Sequence, residues 1–358
     1  MAEIVALGCG LVGEYVISKL IKDGHSLTVV GLEIPQNLEG RCKTITSDAL
    51  TFIENIRDRP LVVNMLPGSI GDSVRLKLIE KKINIIDLAF TIEDPREYNS
   101  LAVKNKCSLV FDVGIAPGYS NLLVANFINK YKFIEDCKIR VGGIPITPDE
   151  NWSYMAPFSP TDVVEEYERP ARILNEFKSE EVPAITDLHT KNYEMETKGE
   201  IGTLQAFLTD GLRSLLDLKN CKNMSEYTLR WPGHIEKFLE LKRKNKLSGL
   251  ERENTIKELV NSWKFDKNRS ECTLLEVDIR SKEETERWII FDKGTKESSS
   301  MARTTGLVTL GFIDEILAGN IEPGVFAPED LIKVEGIFER VTNKLINEGV
   351  KISNYSDS

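Results

Sequence analysis

The chain lacks the features of a membrane or nucleic-acid-binding protein. It has no apolar run near the roughly 18 residues of a spanning helix. No long block of like charge is present, and the net charge of −10 disfavours nucleic acid or an anionic membrane as a partner. The chain opens on a strand-like segment and not on a signal peptide, so we expect a cytosolic protein.

Cysteine and histidine are scarce and scattered. The six cysteines include no C-x-x-C pair, so in a cytosolic chain we interpret them as thiols without a disulfide or metal role. The three histidines are His25, His189 and His234, and they lack metal-ligand spacing. We therefore expect no bound metal.

The most informative segment lies at the amino terminus. The apolar run Ile4 to Leu7 leads into a G-x-G-x-x-G turn, and a helical pattern follows. In such a turn Gly8 permits the tight bend, Gly10 lets the backbone approach phosphates, and Gly13 allows close packing of helix on strand. The N–H groups at the helix start then face the anion. These observations predict a dinucleotide site at Gly8, Cys9, Gly10, Leu11, Val12 and Gly13.

The nature of the dinucleotide depends on the end of the next strand, Leu27 to Val30. Glu33 follows it, and a carboxylate there accepts hydrogen bonds from ribose hydroxyls and repels a 2′-phosphate, which favours NAD. The alternative is a solvated loop glutamate. Arg41 and Lys43 lie close behind in the sequence, so NADP stays possible.

Short apolar runs alternate with helical patterns up to about residue 130, which predicts a doubly wound parallel sheet of the α/β class. Ligands bind such sheets at the carboxyl ends of strands. We therefore add Leu66, Pro67 and Gly114, which follow two predicted strands, to the cofactor-binding candidates. The alternatives are plain turns and a hinge between domains.

Beyond residue 130 the pattern changes to longer charged helices and a hairpin, which predicts an α+β domain with an antiparallel sheet. We predict a dinucleotide-binding domain at 1–118, a substrate domain at 119–300, and helices at 301–350 that pack back on the first domain. The polar tail beyond Lys351 should be frayed.

Candidate catalytic residues are few. Arg230 offers a planar fork for a substrate carboxylate, and His234 titrates near neutral pH. Asp87 and Asp112 end strands and could hold an ammonium group or act as a base. The alternatives are an arginine in a surface ion pair, a helix-capping histidine and turn-stabilising carboxylates. An aromatic patch of Trp152, Tyr154, Phe158 and Tyr167 with Ser159 indicates either a pocket wall or core packing.

Nine strings in order resemble the saccharopine dehydrogenase family, especially its lysine 6-dehydrogenase-like members. They are GCGLVG, NMLPG, DLAFTIEDP, DVGIAPGYSN, VGGIP, FSPTDVVEEYERPA, LQAFLTDGLRSL, TLRWPGH and SMARTTG. The resemblance implies a Rossmann domain, an inserted substrate domain, a returning C-terminal helix and NAD(P)-linked hydride transfer at an amine-bearing carbon. It also implies a dimer or higher oligomer, and we expect a homodimer.

Two departures from the family pattern separate this chain from members that join or split saccharopine. Ala116 stands where those members have aspartate, and Val141 stands where they tend to have cysteine. A third departure concerns the cofactor, because the ribose-binding acid of the lysine 6-dehydrogenase-like members aligns with Leu32, and Glu33 lies one place later, which weakens the NAD assignment. The sequence thus favours oxidation of a side-chain amine, as in L-lysine. A saccharopine- or carboxynorspermidine-type reductase and a non-catalytic NAD(P)-binding protein are the alternatives.

Overall fold

A computed structural model describes residues 1–157, 163, 164 and 166–357. They form two compact units, Met1–Asn126 with Ala302–Glu348 and Phe127–Met301 with Gly349–Ser358. No helix in these described ranges has the length and apolar character that a membrane crossing requires.

The strands follow one another along the chain as β1 (Glu3–Leu7), β2 (Ser26–Gly31), β3 (Lys43–Thr46), β4 (Leu61–Asn64), β5 (Ile85–Asp87), β6 (Ser108–Val110), β7 (Ile134–Pro145), β8 (Ala171–Asn175), β9 (Lys178–Val182), β10 (His189–Asn192), β11 (Thr203–Leu208), β12 (Cys221–Arg230), β13 (Glu271–Arg280), β14 (Thr285–Lys293), β15 (Gly324–Phe326) and β16 (Lys351–Asp357). The α-helices are α1 (Leu11–Lys22), α2 (Ala49–Asn55), α3 (Gly68–Glu80), α4 (Asn99–Asn105), α5 (Ser120–Tyr131), α6 (His234–Arg243), α7 (Arg252–Ser262), α8 (Ser300–Leu317) and α9 (Ile337–Asn347).

The first unit is built on a seven-stranded sheet in the order β15-β6-β5-β4-β1-β2-β3. All of its pairings are parallel, for example β1 with both β2 and β4. Its strands are short apolar runs whose residues are buried on both faces, as expected where helices cover a parallel sheet. The strand order reverses between β1 and β4, and the carboxyl ends at this point form a ligand crevice in such folds.

The second unit contains a nine-stranded mixed sheet. Its main path is β10-β11-β12-β7-β13-β14-β16, and β8 with β9 extends from β12. Every pairing among the described residues is antiparallel except that of β12 with β7. The predicted Rossmann sheet and α+β second unit are confirmed, with this one parallel pair as a correction.

The C-terminal segment rejoins the first unit, as predicted. β15 pairs with β6, and its Val325 is buried in the same core as Val62 and Leu109. The expected fraying beyond Lys351 was wrong, because β16 pairs with the edge of β14 over seven residue pairs. The backbone bonds of an edge strand need no apolar alternation, so its exposed polar side chains gave no signal.

Candidate functional site

The turn after β1 has the geometry that its glycines require. Gly8 has a φ of +91°, and a Cβ there would lie 2.8 Å from the carbonyl oxygen of Met65. Its N–H donates to the carbonyl of Val30 at 2.9 Å. Both the positive φ and the close approach of the backbone that follows β4 exclude a side chain at Gly8.

The helix α1 begins beside open space. A Cβ at Gly10 would meet no atom within 4 Å, whereas one at Gly13 would lie 3.0 Å from the carbonyl oxygen of Gly8. The first intrahelical bond runs from the N–H of Glu14 to the carbonyl of Gly10 at 2.8 Å. The N–H groups of Leu11, Val12 and Gly13 therefore precede the helical bond pattern. An open helix start with these donors fits a diphosphate.

The residues after β2 are attached to this turn. The Sγ of Cys9 donates a hydrogen bond to the carbonyl of Glu33 at 3.1 Å. Burial raises the pKa of the Cys9 thiol, with Glu14 adding to the shift, so the thiol stays protonated and can donate. The side chain of Glu33 is exposed, as is that of Leu32. The structure thus brings the predicted ribose acid beside the predicted phosphate turn.

The segment after β4 lies against the same turn. The Leu66 side chain reaches within 3.5 Å of the position a Cβ would take at Gly8. Pro67 precedes the first residue of α3, Gly68, where a Cβ would lie 1.9 Å from the carbonyl oxygen of Phe90. Because the loop after β5 passes so close, position 68 has room for glycine but not for a side chain. Leu66 therefore packs beside the glycine turn, and Pro67 directly precedes α3.

Asp87 is occupied within the first unit. Its carboxylate forms an ion pair with the guanidinium of Arg75, and both side chains are fully buried. It also accepts hydrogen bonds from Asn64 Nδ2 and the Ala89 N–H, each at 2.9 Å. These contacts join the loops after β4 and β5. Asp87 therefore acts as a structural anchor and is not placed to receive a substrate ammonium.

Asp112 and Gly114 follow β6. Asp112 is buried with a φ of +54°. A Cβ at Gly118 would lie 3.2 Å from the carbonyl oxygen of Asp112, and one at Gly114 would lie 3.1 Å from that of Pro117. The N–H of Tyr119 donates to the carbonyl of Gly114 at 2.8 Å. This compact loop stands at the carboxyl end of the sheet, where the sequence predicted a ligand contact.

Arg230 ends β12 in the second unit and is 3% exposed. Its Nε donates to the Tyr167 hydroxyl at 2.9 Å, and its Nη1 donates to the Leu229 carbonyl at 2.9 Å. The guanidinium carbon lies 4.3 Å from the ring centre of Tyr154. Among the described residues its Nη2 makes two long contacts, 3.4 Å to the Tyr154 hydroxyl and 3.5 Å to Glu166. Arg230 is thus held rigidly by the tyrosines but loosely at Nη2.

His234 is the first residue of α6 and is also buried. Its Nδ1 lies 2.9 Å from the Trp152 carbonyl, which can only accept, so Nδ1 carries the proton. Its Nε2 lies 3.0 Å from the Tyr167 hydroxyl and therefore accepts from it. Burial, with the charge of Arg230 as the second cause, lowers the pKa of His234 to about 3. Both ring nitrogens are occupied, so the arrangement disfavours His234 as a base.

The aromatic patch packs around these two residues. The rings of Trp152, Tyr154 and Tyr167 meet His234 edge-on at 5.2 to 5.7 Å between centroids. Trp263, which the sequence did not indicate, lies 5.7 Å from the same ring. Phe158 and Ser159 of the predicted patch lie outside the described residues. The described aromatics therefore form a core that orients Arg230 and His234.

Sequence reasoning missed Glu226, which lies on β12 before Arg230. Its carboxyl is buried, and burial raises its pKa to about 8, with Glu166 and Asp210 adding to the shift. No sequence signal singled it out, because β12 carries several other polar residues, among them Lys222, Asn223 and Ser225.

Comparison with known proteins gives the chain its family. Residues 114–350 match the model of the Saccharopine dehydrogenase C-terminal domain. The mitochondrial alpha-aminoadipic semialdehyde synthase of Bos taurus is 24% identical over 187 residues, which cover 48% of this chain and 20% of that protein. This chain thus matches about a fifth of the length of that curated relative. The apo saccharopine dehydrogenase (L-Glu forming) of Saccharomyces cerevisiae has the same fold, with a TM-score of 0.81, 17% identity and 100% coverage of both chains. The chain belongs to the saccharopine dehydrogenase family.

Proposed function

We propose that this chain is an NAD(P)-dependent oxidoreductase that oxidises the side-chain amine of an amino acid, with L-lysine as the first substrate to test. The open start of α1 behind Gly10 is the observation that carries the proposal. Membership of the saccharopine dehydrogenase family supports the amino acid as substrate class. The resemblance also supports a homodimer, and cytosolic location remains a prediction from the sequence.

The first unit would hold the cofactor. Leu11, Val12 and Gly13 would donate backbone N–H groups to the diphosphate, and Glu33 would accept from the ribose hydroxyls. Leu66, Pro67 and Gly114 would border it at the neighbouring strand ends. When bound, the nicotinamide would take hydride from the amine-bearing carbon of the substrate. Glu33 favours NAD over NADP in this proposal, because a 2′-phosphate there would meet its negative charge.

The second unit would hold the substrate carboxylate through Arg230. The two tyrosines fix the guanidinium plane, so little conformational entropy is lost on binding. A carboxylate would replace Glu166 at Nη2, where the present contacts are 3.4 and 3.5 Å. Fixing the carboxylate determines which carbon of the substrate is presented for oxidation.

Proton transfer is assigned to Asp112 and not to His234. The substrate amine must lose a proton before its carbon can release hydride, so a base is required. His234 is neutral at pH 7, and its acceptor nitrogen is used by Tyr167. We propose that His234 positions Tyr167, and through it Arg230. Asp112, at the carboxyl end of a parallel strand, is the candidate acceptor.

The test is NADH or NADPH formation with L-lysine, measured by absorbance, across a panel of amino acids and diamines. Turnover with L-lysine that falls at least tenfold in Arg230→Lys supports the proposal. No turnover with any member of the panel, in either direction, would overturn it.

A reductase that forms a C–N bond is the second candidate. The similarity to aminoadipic semialdehyde synthase and to the fold of a saccharopine dehydrogenase favours it. Ala116 and Val141 argue against a saccharopine substrate, since members with that reaction tend to have aspartate and cysteine there. Consumption of NAD(P)H with pairs of an amine and a carbonyl compound, without oxidation of lysine alone, would select this candidate.

A further inference from the structure

One face of β12 carries a line of polar side chains. Residues two apart on a strand point to the same face, so Glu226, Thr228 and Arg230 share one. The contacts agree with this alternation, because the Thr228 hydroxyl lies 3.0 Å from that of Thr209 and Arg230 reaches Tyr167. The Cα atoms of Glu226 and Arg230 are about 13 Å apart along an extended strand, and both side chains are long.

Glu226 is a buried acid for which the described residues provide no side-chain partner. Its side-chain Oε2 is buried and has no hydrogen-bond partner in the part of the chain that the structure describes. A buried polar atom without a hydrogen bond destabilises the fold, so native proteins contain few such atoms. Gly211 makes room for the carboxyl, because a Cβ there would lie 1.6 Å from Glu226 Oε1. The described residues thus accommodate the acid and leave its Oε2 unpaired.

The cations nearby already pair with other acids. Asp210 forms ion pairs with Arg172 at 2.7 Å and Arg169 at 3.7 Å. Arg230 lies 3.5 Å from Glu166. Within residues 1–157, 163, 164 and 166–357, no lysine or arginine forms an ion pair with Glu226. The described residues therefore provide no cationic partner for Glu226.

We propose that Glu226 binds an ammonium group of the amino acid whose carboxylate is bound by Arg230. This inference rests on the function proposed above, and it identifies the substrate as a molecule that presents a carboxylate and an amine to one strand face. The bound ammonium provides the cation that the described residues do not supply. The Glu226 carboxyl releases its proton to solvent when the ion pair forms. The strand then selects zwitterionic amino acids over simple carboxylates.

The test is isothermal titration calorimetry with four ligands of similar length. L-lysine has both amines, L-norleucine only the α-amine, 6-aminohexanoate only the distal amine, and hexanoate none. We expect the wild type to bind at least one aminated ligand tenfold or more tighter than hexanoate. Titrations in buffers of different ionisation enthalpy at pH 7 should show proton release of up to one per bound ligand.

Glu226→Gln should reduce binding of the aminated ligands to the level of hexanoate and abolish the proton release. Glu240→Gln, at an exposed position of α6, is the matched control and should behave as wild type. If Glu226→Gln fails to fold, the wild type provides a second test. Its preference for amines over hexanoate should then rise as pH increases through about 8, where Glu226 loses its proton.

The outcomes separate this inference from the proposed function. If Glu226→Gln keeps the amine preference while Arg230→Lys weakens every ligand, the assignment of Glu226 is wrong and the proposed function stands. A pH-independent amine preference in the wild type would also overturn the assignment. If the wild type binds none of the four ligands, both proposals are overturned.

Discussion

The hydroxyl of Tyr167 donates to Nε2 of His234 across 3.0 Å, so any proton that His234 gains must displace that bond. The imidazolium would then be buried close to Arg230, which is already charged. This single relationship makes His234 a neutral acceptor that fixes the direction of a hydrogen-bond chain ending at Arg230. It also gives the pair a pH signature in the stability of the protein.

We predict that His234 destabilises the fold in acid. The pKa of His234 is lowered from 6.5 to about 3. Its contribution to the free energy of unfolding is therefore fully present above pH 6.5 and is lost as the pH falls toward 3. The slope from one such group is at most about 1.4 kcal/mol per pH unit. The free energy of unfolding measured with urea should be lower at pH 5 than at pH 7.5. In His234→Asn the part of this difference that comes from His234 should be absent. An unchanged difference between the two pH values in the variant would contradict the assignment.

Arg230→Lys should raise the KM for the amino acid at least tenfold and leave the Kd for NAD(P) unchanged. Lysine loses the fork that binds a carboxylate at two points, and it cannot keep the Nε contact with Tyr167. Tyr154→Phe is the matched control, because it removes only a 3.4 Å hydrogen bond and keeps the ring beneath the guanidinium. If the KM changes equally in both variants, the increase comes from altered packing around the guanidinium and not from a lost contact with the substrate carboxylate.

Gly10→Ala and Gly13→Ala should separate cofactor binding from stability. A methyl group at Gly10 enters open space, so the melting temperature should stay near that of wild type while NAD(P) affinity falls at least tenfold. At Gly13 the methyl would lie 3.0 Å from the Gly8 carbonyl, which should destabilise the protein by about 1–3 kcal/mol. Thermal unfolding and cofactor titration check both. Unaltered affinity in Gly10→Ala would place the diphosphate elsewhere.

Glu33→Gln should shift the cofactor preference toward NADP. The substitution removes the charge that would repel a 2′-phosphate, and Glu33 stays attached to the turn through its backbone carbonyl. The ratio of kcat/KM for NADP to that for NAD should rise several-fold. Glu39→Gln, which is exposed in the same loop, should leave the ratio unchanged. Equal ratios in the wild type, Glu33→Gln and Glu39→Gln would show that Glu33 does not contact the cofactor.

The first unit was largely predictable because its signals are local. The strand, the glycine turn and the helix up to Lys22 are contiguous, and each glycine has the geometry expected of such a turn. The role of Asp87 was not predictable, since its partner Arg75 lies on a different element and only the fold brings them together.

In the second unit, contacts between residues that are distant in sequence restrict prediction even more. His234 and Arg230 lie four residues apart in one motif, but Tyr167 and Trp152 reach them from more than sixty residues away. The sequence therefore identified the two residues, while the lowered pKa of His234 follows from neighbours that only the fold supplies. Glu226 escaped notice for a related reason, because only the folded sheet shows that none of the described residues bonds to its Oε2.

The most direct test of the central claim uses L-lysine that carries two deuterium atoms on the carbon bearing the side-chain amine. The reduced nicotinamide formed in one turnover is isolated and weighed by mass spectrometry. Our account predicts one deuterium in the reduced cofactor and one retained in the oxidised product. A reduced cofactor without deuterium, or no reduced cofactor with lysine in excess, would contradict it.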